Sequence, residues 1–112
     1  MVAIIGTGII PFGRHLERSI VSMAMEATRA ALDDAEISKD VIGACYFANA
    51  LGGMLFGDTT IGQNLTAALG MKKIPVVNVE NACTSGSTAY YLARNAILAG
   101  ECEVALVVGS EK

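Results

Sequence analysis

Cys83 stands where an apolar run, Ile74-Pro75-Val76-Val77-Asn78-Val79, gives way to a segment rich in small residues, Glu80-Asn81-Ala82-Cys83-Thr84-Ser85-Gly86-Ser87. A thiol at the start of a helix faces unpaired backbone N–H groups and the positive end of the helix dipole, and both favour thiolate over thiol. From a free pKa of about 8.5, a fall of about one unit raises the thiolate fraction at pH 7 from roughly 3% to roughly a quarter. That is nucleophile chemistry. The same position also suits a plain small residue at a helix start, because buried cysteines are common and mostly inert.

The remaining reactive residues are sparse. Three cysteines, at 45, 83 and 102, have an odd count and no Cys-x-x-Cys spacing, so neither a zinc ribbon nor a disulfide framework is indicated. Cys45 falls within a strand-like run and Cys102 just before one, which makes both packing residues. His15, the single histidine, lies in a polar turn with Arg14 and Glu17 and reads as a solvated loop residue. Gly6-Thr7-Gly8 lacks the third glycine of a dinucleotide-binding turn, and Pro11 interrupts the helix that would receive the pyrophosphate.

The elements that must position Cys83 follow from hydrophobic periodicity. Strand-like runs at 2–6, 43–48, 75–79 and 103–109 alternate with helix-like stretches at 19–36, 60–70 and 84–99. Such alternation predicts an α/β fold with a mainly parallel sheet and helices on both faces. Ser19 is placed to cap the first helix, whose apolar stripe is Ile20, Met23, Ala24, Ala27 and Ala31. From Cys83 to Gly100 the only charge is Arg94, which predicts a helix buried on more than one side. The stretch Gly52–Gly62 reads as a loop with an apolar tip at Met54, Leu55 and Phe56, covered either by the domain itself or by another subunit.

With 112 residues the chain provides material for one domain. At 53% hydrophobic and 17% charged it is more apolar than an isolated domain needs, which points to surface meant for covering. A net charge of −3 without a basic cluster argues against nucleic acid. No apolar run reaches the roughly 18 residues of a membrane span, and the start lacks the pattern of a signal peptide. The reading is a cytoplasmic protein without a membrane association.

The segment Val77-Asn78-Val79-Glu80-Asn81-Ala82-Cys83-Thr84-Ser85-Gly86-Ser87-Thr88-Ala89 resembles the thiolase superfamily, whose acylated cysteine lies in a pattern like Val-Asn-x-x-Cys-x-Ser-Gly-x-x-Ala. Cys83-x-Ser85-Gly86-x-x-Ala89 fits directly, while two extra residues separate Asn78 from the cysteine. The spelling Val-Glu-Asn-Ala-Cys looks most like the sterol-carrier-protein-type thiolases and related acetyl-CoA acetyltransferases. Val2-Ala3-Ile4-Ile5-Gly6-Thr7-Gly8 with Pro11-Phe12-Gly13, Asn49-Ala50-Leu51-Gly52-Gly53, and Leu106-Val107-Val108-Gly109-Ser110-Glu111-Lys112 resemble the same subgroup in the same order.

The resemblance implies that residues 1–112 are the N-terminal βαβαβαβ portion of a thiolase domain, with a final strand and the C-terminal half lying elsewhere. It implies that Cys83 attacks an acyl-CoA thioester, holds the acyl group and releases CoA, after which a second acyl-CoA carbanion or CoA takes the acyl group. The backbone N–H of Cys83 would be one oxyanion donor. Family members take the second from a late glycine, and use a Gly-His-Pro histidine and a Cys-x-Gly cysteine; neither motif occurs in this chain. Ser85 and Gly86 would matter sterically, letting an acyl chain or opposing backbone approach, whereas Asn78, Glu80 and Asn81 carry hydrogen bonds or turn structure but no catalysis. Coenzyme A thioesters are the implied substrates, with no bound cofactor and no metal. A homodimer or higher oligomer is implied, and a companion subunit is one source of the missing half. The rival reading is a non-catalytic acyl-CoA-binding or scaffold subunit that pairs with an active homologue.

Overall fold

The computed structural model describes residues 1–112. Ser19 caps the first helix, α1 (Ile20–Ala35), its Oγ accepting from Ser22 N at 3.0 Å, and the helix ends on Glu36 in the left-handed region at φ 57°. A single turn of 3-10 helix at Lys39–Val41 leads into β1 (Ala44–Ala48). Then come α2 (Gly52–Phe56), α3 (Ile61–Ala68), β2 (Val76–Val79), α4 (Ser85–Leu98) and β3 (Ala105–Gly109). The sheet is parallel throughout, in the order β2-β1-β3, with Cys45 opposite Val76 on one side and Leu106 on the other.

β1 is buried along its whole length because both its edges and both its faces are covered. Strand alternation then divides the core in two. Cys45 and Phe47 join Ile20, Ala24, Ile61 and Leu65 beneath α1 and α3. Ala44, Tyr46 and Ala48 meet Ala89, Ala93 and Ala96 of α4 on the opposite face. The result is the α/β layering that the sequence predicts, with helices on both sides of a parallel sheet.

Three expectations are revised. Residues 2–6 form no strand: the segment has no ladder partner, and Ile4 and Ile5 are exposed. Its placement is set by α1 instead. Thr7 N donates to Asp34 Oδ2 at 2.9 Å, and Gly6 packs so closely that an added Cβ would lie 2.7 Å from Ala35 Cβ, holding the segment away from β3. The stretch 52–62 is not all loop, since α2 occupies its first half while Met54, Leu55 and Phe56 stay exposed. Finally, α4 buries only the stripe Ser85, Ala89, Ala93 and Ala96; Tyr90, Tyr91 and Leu98 lie open on its other side.

The approach of α3 to the sheet depends on Gly62, where an added Cβ would lie 2.8 Å from Asn78 Oδ1 and Val76 Cγ1 and 2.9 Å from Phe47 Cβ. In an exposed helix interior, glycine to alanine stabilises by about 1 kcal/mol. Here the sign reverses, because the methyl group has no room: Gly62→Ala is expected to destabilise by about 1–3 kcal/mol in urea unfolding. A gain in stability would show that α3 does not press on the sheet at this point.

Candidate active site

The chain between β2 and α4 makes a tight turn that depends on a residue in the left-handed region. Ala82 has φ 48°. A side chain there costs on the order of 1–2 kcal/mol, so neighbouring bonds must hold it. Glu80 Oε2 accepts from Ala82 N at 2.7 Å. Ser85, which is buried, accepts from Asn81 N at 2.8 Å and donates from the same hydroxyl to Ala82 O at 2.8 Å. Thr84 Oγ1 donates to Asn81 O at 2.8 Å, and Asn81 Nδ2 donates to Thr88 Oγ1 at 3.0 Å. The clamped turn carries Cys83 to its outer surface, where the thiol is exposed.

This arrangement separates the three thiols chemically. Cys45 is fully enclosed in the core, and burial pushes its pKa up to about 12. Cys102 is half-buried, and burial together with the charge of Glu101 raises its pKa. Cys83 is the most open of the three to a reagent, beside the first turn of α4 and at the carboxyl end of the sheet, where ligand sites of parallel α/β sheets form.

A cavity of about 370 Å³ lies at the same end, against the ends of β1 and β2. Phe47 and Ile61 give it an apolar floor, Met54 of α2 and Asp58 border it, and Glu80 joins it to the turn that carries Cys83. Its rim is laced to β3: Asn49 Nδ2 donates to Ser110 O at 2.8 Å, Asn49 Oδ1 accepts from Gly52 N at 2.6 Å, and the Glu111 carboxylate accepts from Ala50 N. Ser110 Oγ donates onward to Ile20 O at 3.0 Å, tying the same end of β3 to the start of α1.

Glu80 and Asn81 thus hold the Cys83 turn, as one of the two sequence readings has it. Asn78 does not: its Oδ1 accepts from Gly62 N at 2.7 Å and its Nδ2 donates to Gln63 Oε1 at 2.6 Å, so it docks α3. Ser85 does more than leave space, because its hydroxyl makes two of the turn's bonds. A side chain at Gly86 would meet nothing within 4 Å. His15 is apart from this cluster, with Nε2 2.8 Å from Pro11 O in the loop before α1. No group of three His, Cys, Asp or Glu side chains is placed to hold a metal ion. Sequence reading missed the Asn49–Ser110–Glu111 lacing; its signal was the pair of polar stretches that follow the apolar runs of β1 and β3.

The family model described as Thiolase, N-terminal domain, matches residues 2–112, and the chain belongs to that family. It is 39% identical to human sterol carrier protein 2 over 99% of this chain and 20% of the relative. It is 38% identical to the acetyl-CoA acetyltransferase of Methanocaldococcus jannaschii over 99% of this chain and 28% of the relative. Among solved structures, the Acat5 thiolase from Ascaris suum superposes with a TM-score of 0.80 at 18% identity, covering 96% of this chain and 28% of that one, and so supports the fold. The chain therefore spans between 20% and 28% of the length of these three proteins.

Two outcomes follow from the turn and the thiols. In the folded protein at pH 7–8, iodoacetamide is expected to label Cys83 first and Cys102 later. A pKa of about 12 keeps Cys45 protonated and unreactive until the chain is unfolded. Equal labelling of all three before unfolding would contradict the burial of Cys45. Ser85→Ala removes both hydroxyl bonds and is expected to cost about 1–3 kcal/mol of stability, measured by denaturant unfolding; an unchanged midpoint would mean that the turn holds without them.

Proposed function

We propose that Cys83 is the acyl-accepting nucleophile of a thiolase-type acyltransferase whose N-terminal portion is residues 1–112. The supporting observation is the exposed Cys83 thiol on a clamped, left-handed turn between a parallel strand and α4. In the proposed first half-reaction the Cys83 thiolate adds to the carbonyl carbon of an acyl-CoA thioester. The carbonyl oxygen takes the negative charge, to which the backbone N–H of Cys83 can donate. As the C=O re-forms, the bond to the CoA sulfur breaks, and CoA leaves as a thiolate that takes up a proton. Claisen condensation with a second acyl-CoA, or return to CoA, then clears the acyl group in a second half-reaction of the ping-pong type.

The chain contains neither a Gly-His-Pro histidine nor a Cys-x-Gly cysteine. Those acid–base groups come, on this reading, from the rest of the polypeptide or from a companion subunit, and residues 1–112 alone bind without turnover. Coenzyme A thioesters are the substrates and no resident cofactor is needed. A cytoplasmic homodimer is the proposed assembly; the exposed apolar tip at Met54–Phe56 and the free edge of β2, with Val77 exposed, offer surface for it. No helix is long and apolar enough to cross a membrane. The second reading, an acyl-CoA-binding subunit without chemistry, is favoured by one observation: the human relative is named for carrying sterols.

Brief exposure of the complete protein containing residues 1–112 to acetyl-CoA, followed by peptide mapping, separates the two. An acetyl group on the Cys83 peptide, released by hydroxylamine and absent in Cys83→Ala, is expected. Acetyl-CoA binding with no label on Cys83 in either the chain or the complete protein would favour the carrier. Acetoacetyl-CoA thiolysis by residues 1–112 alone is expected to be undetectable.

A further inference from the structure

Along the run Asn81–Ser85 every backbone N–H is tied down except one. Asn81 N donates to Ser85 Oγ, Ala82 N to Glu80 Oε2, Thr84 N to Asn81 O at 3.0 Å and Ser85 N to Ala82 O at 3.2 Å. The N–H of Cys83 takes no partner in the protein, and it belongs to the same residue as the exposed thiol. The open N–H groups further on, at Gly86 and Ser87, are those that any helix leaves in its first turn.

The direction of the Cys83 N–H is set from the other end of its peptide unit. The bond joining Ala82 to Cys83 is planar and trans, so the Ala82 carbonyl and the Cys83 N–H point opposite ways and can only turn together. Ala82 O is held by Ser85 Oγ at 2.8 Å and, less closely, by Ser85 N at 3.2 Å. The hydroxyl also accepts from Asn81 N at 2.8 Å, and Ser85 is buried, so water has little room to compete for it. Glu80 and Thr84 bind a different unit: Glu80 Oε2 accepts from Ala82 N and Thr84 Oγ1 donates to Asn81 O, both on the peptide between residues 81 and 82.

We infer that Ser85 is a positioning residue for acyl transfer to Cys83: its hydroxyl fixes the plane of the Ala82–Cys83 peptide and so aims the Cys83 N–H at the oxygen on which negative charge develops. This rests on the proposed role of Cys83 as nucleophile. When the thiolate adds to the thioester carbon, the π electron pair passes to the carbonyl oxygen; when the C=O re-forms, that pair expels CoA as a thiolate, which takes up a proton. A donor stabilises the intermediate only if it already points at that oxygen. The left-handed Ala82 beside it is strained, so loss of the hydroxyl lets the peptide plane rotate. A carbonyl that accepts hydrogen bonds also polarises its own peptide, which strengthens the N–H at the other end.

Two reactions of the one thiol separate aiming from exposure. Acylation by acetyl-CoA passes through an oxyanion, whereas in alkylation by iodoacetamide the thiolate displaces iodide at carbon and no oxyanion forms. Both rates are followed at Cys83 by peptide mapping in the complete protein containing residues 1–112. In Ser85→Ala acylation is expected to slow by at least about tenfold, short of the roughly 10²–10³ for outright loss of an oxyanion donor, while alkylation changes by less than about twofold. Thr84→Val removes a bond of the same length, 2.8 Å, from the same turn and is expected to move both rates by one factor. Ser85→Thr keeps the hydroxyl and is expected to restore the parent ratio of the two rates. An unlabelled Cys45 reports an intact fold in each variant. Where Ser85→Ala exposes Cys45, Ser85→Cys, close in size but a weak donor, replaces it with the same expected direction, and fragmentation of the peptide tells positions 83 and 85 apart. Undiminished acylation in the Ser85 variants, an equal fall in both rates, or an equal loss of ratio in Thr84→Val would overturn the inference. An unacylated Cys83 in the parent protein would overturn the nucleophile assignment itself, and this inference with it.

Discussion

The enclosure of β1 on two edges and two faces is the constraint from which the rest of the structure follows. A strand whose N–H and C=O groups must all be satisfied away from water needs a neighbour on each side, and β2 and β3 provide them in parallel. Parallel neighbours need crossover connections, and α3 and α4 provide those on opposite faces. Because all three strands run the same way, their carboxyl ends meet at one end of the sheet. That is why Asn49 after β1, the Cys83 turn after β2 and Ser110-Glu111 after β3 converge, although they are more than twenty residues apart in sequence.

At that shared end, the local energetics decide where the thiol goes. The left-handed Ala82 is unfavourable by itself and is sustained by bonds from Glu80 and Ser85 on either side. Those partners lie within three residues of it, so the turn is largely specified by its own segment. Burial of Ser85 against the sheet then anchors the segment to the core. An exposed thiol at the edge of a rigid element can meet a large reagent or ligand without rearrangement of the core, which is what the proposed role of Cys83 requires.

Legibility in the sequence followed the range of the interactions. The Ser19 cap, the apolar runs of β1, β2 and β3 and the stripe of α1 depend on neighbours a few residues away, and each was found within a residue or two of its boundaries. Cys83 was singled out for the same reason, since a strand end followed by small residues is a local pattern. Residues 2–6 have the composition of a strand but lack a partner, and β structure is decided by the partner. The bond from Asn49 to Ser110, which joins residues 61 apart, leaves no periodic trace, and the two hydroxyl bonds of Ser85, although local, leave none because hydrogen bonding inside a turn has no period.

The two central helices carry opposite relations between composition and exposure. α1 places Glu26, Arg29, Asp33 and Asp34 toward water and buries Ile20, Met23 and Ala24 of its apolar stripe, leaving Ala27 and Ala31 half-buried. α4 has Arg94 as its single charge, yet leaves Tyr90, Tyr91 and Leu98 exposed. A helix so poor in charge is costly to leave wet on one side, at about 25 cal/mol for each Å² of apolar surface. The same imbalance recurs at Ile4 and Ile5 of the N-terminal segment and at Met54–Phe56 above the cavity. These patches lie on different sides of one small domain, so a single contact between two copies cannot cover them all. The exposed apolar residues of α4, of the N-terminal segment and of α2 are part of a hydrophobic content of 53% that the core of residues 1–112 does not use.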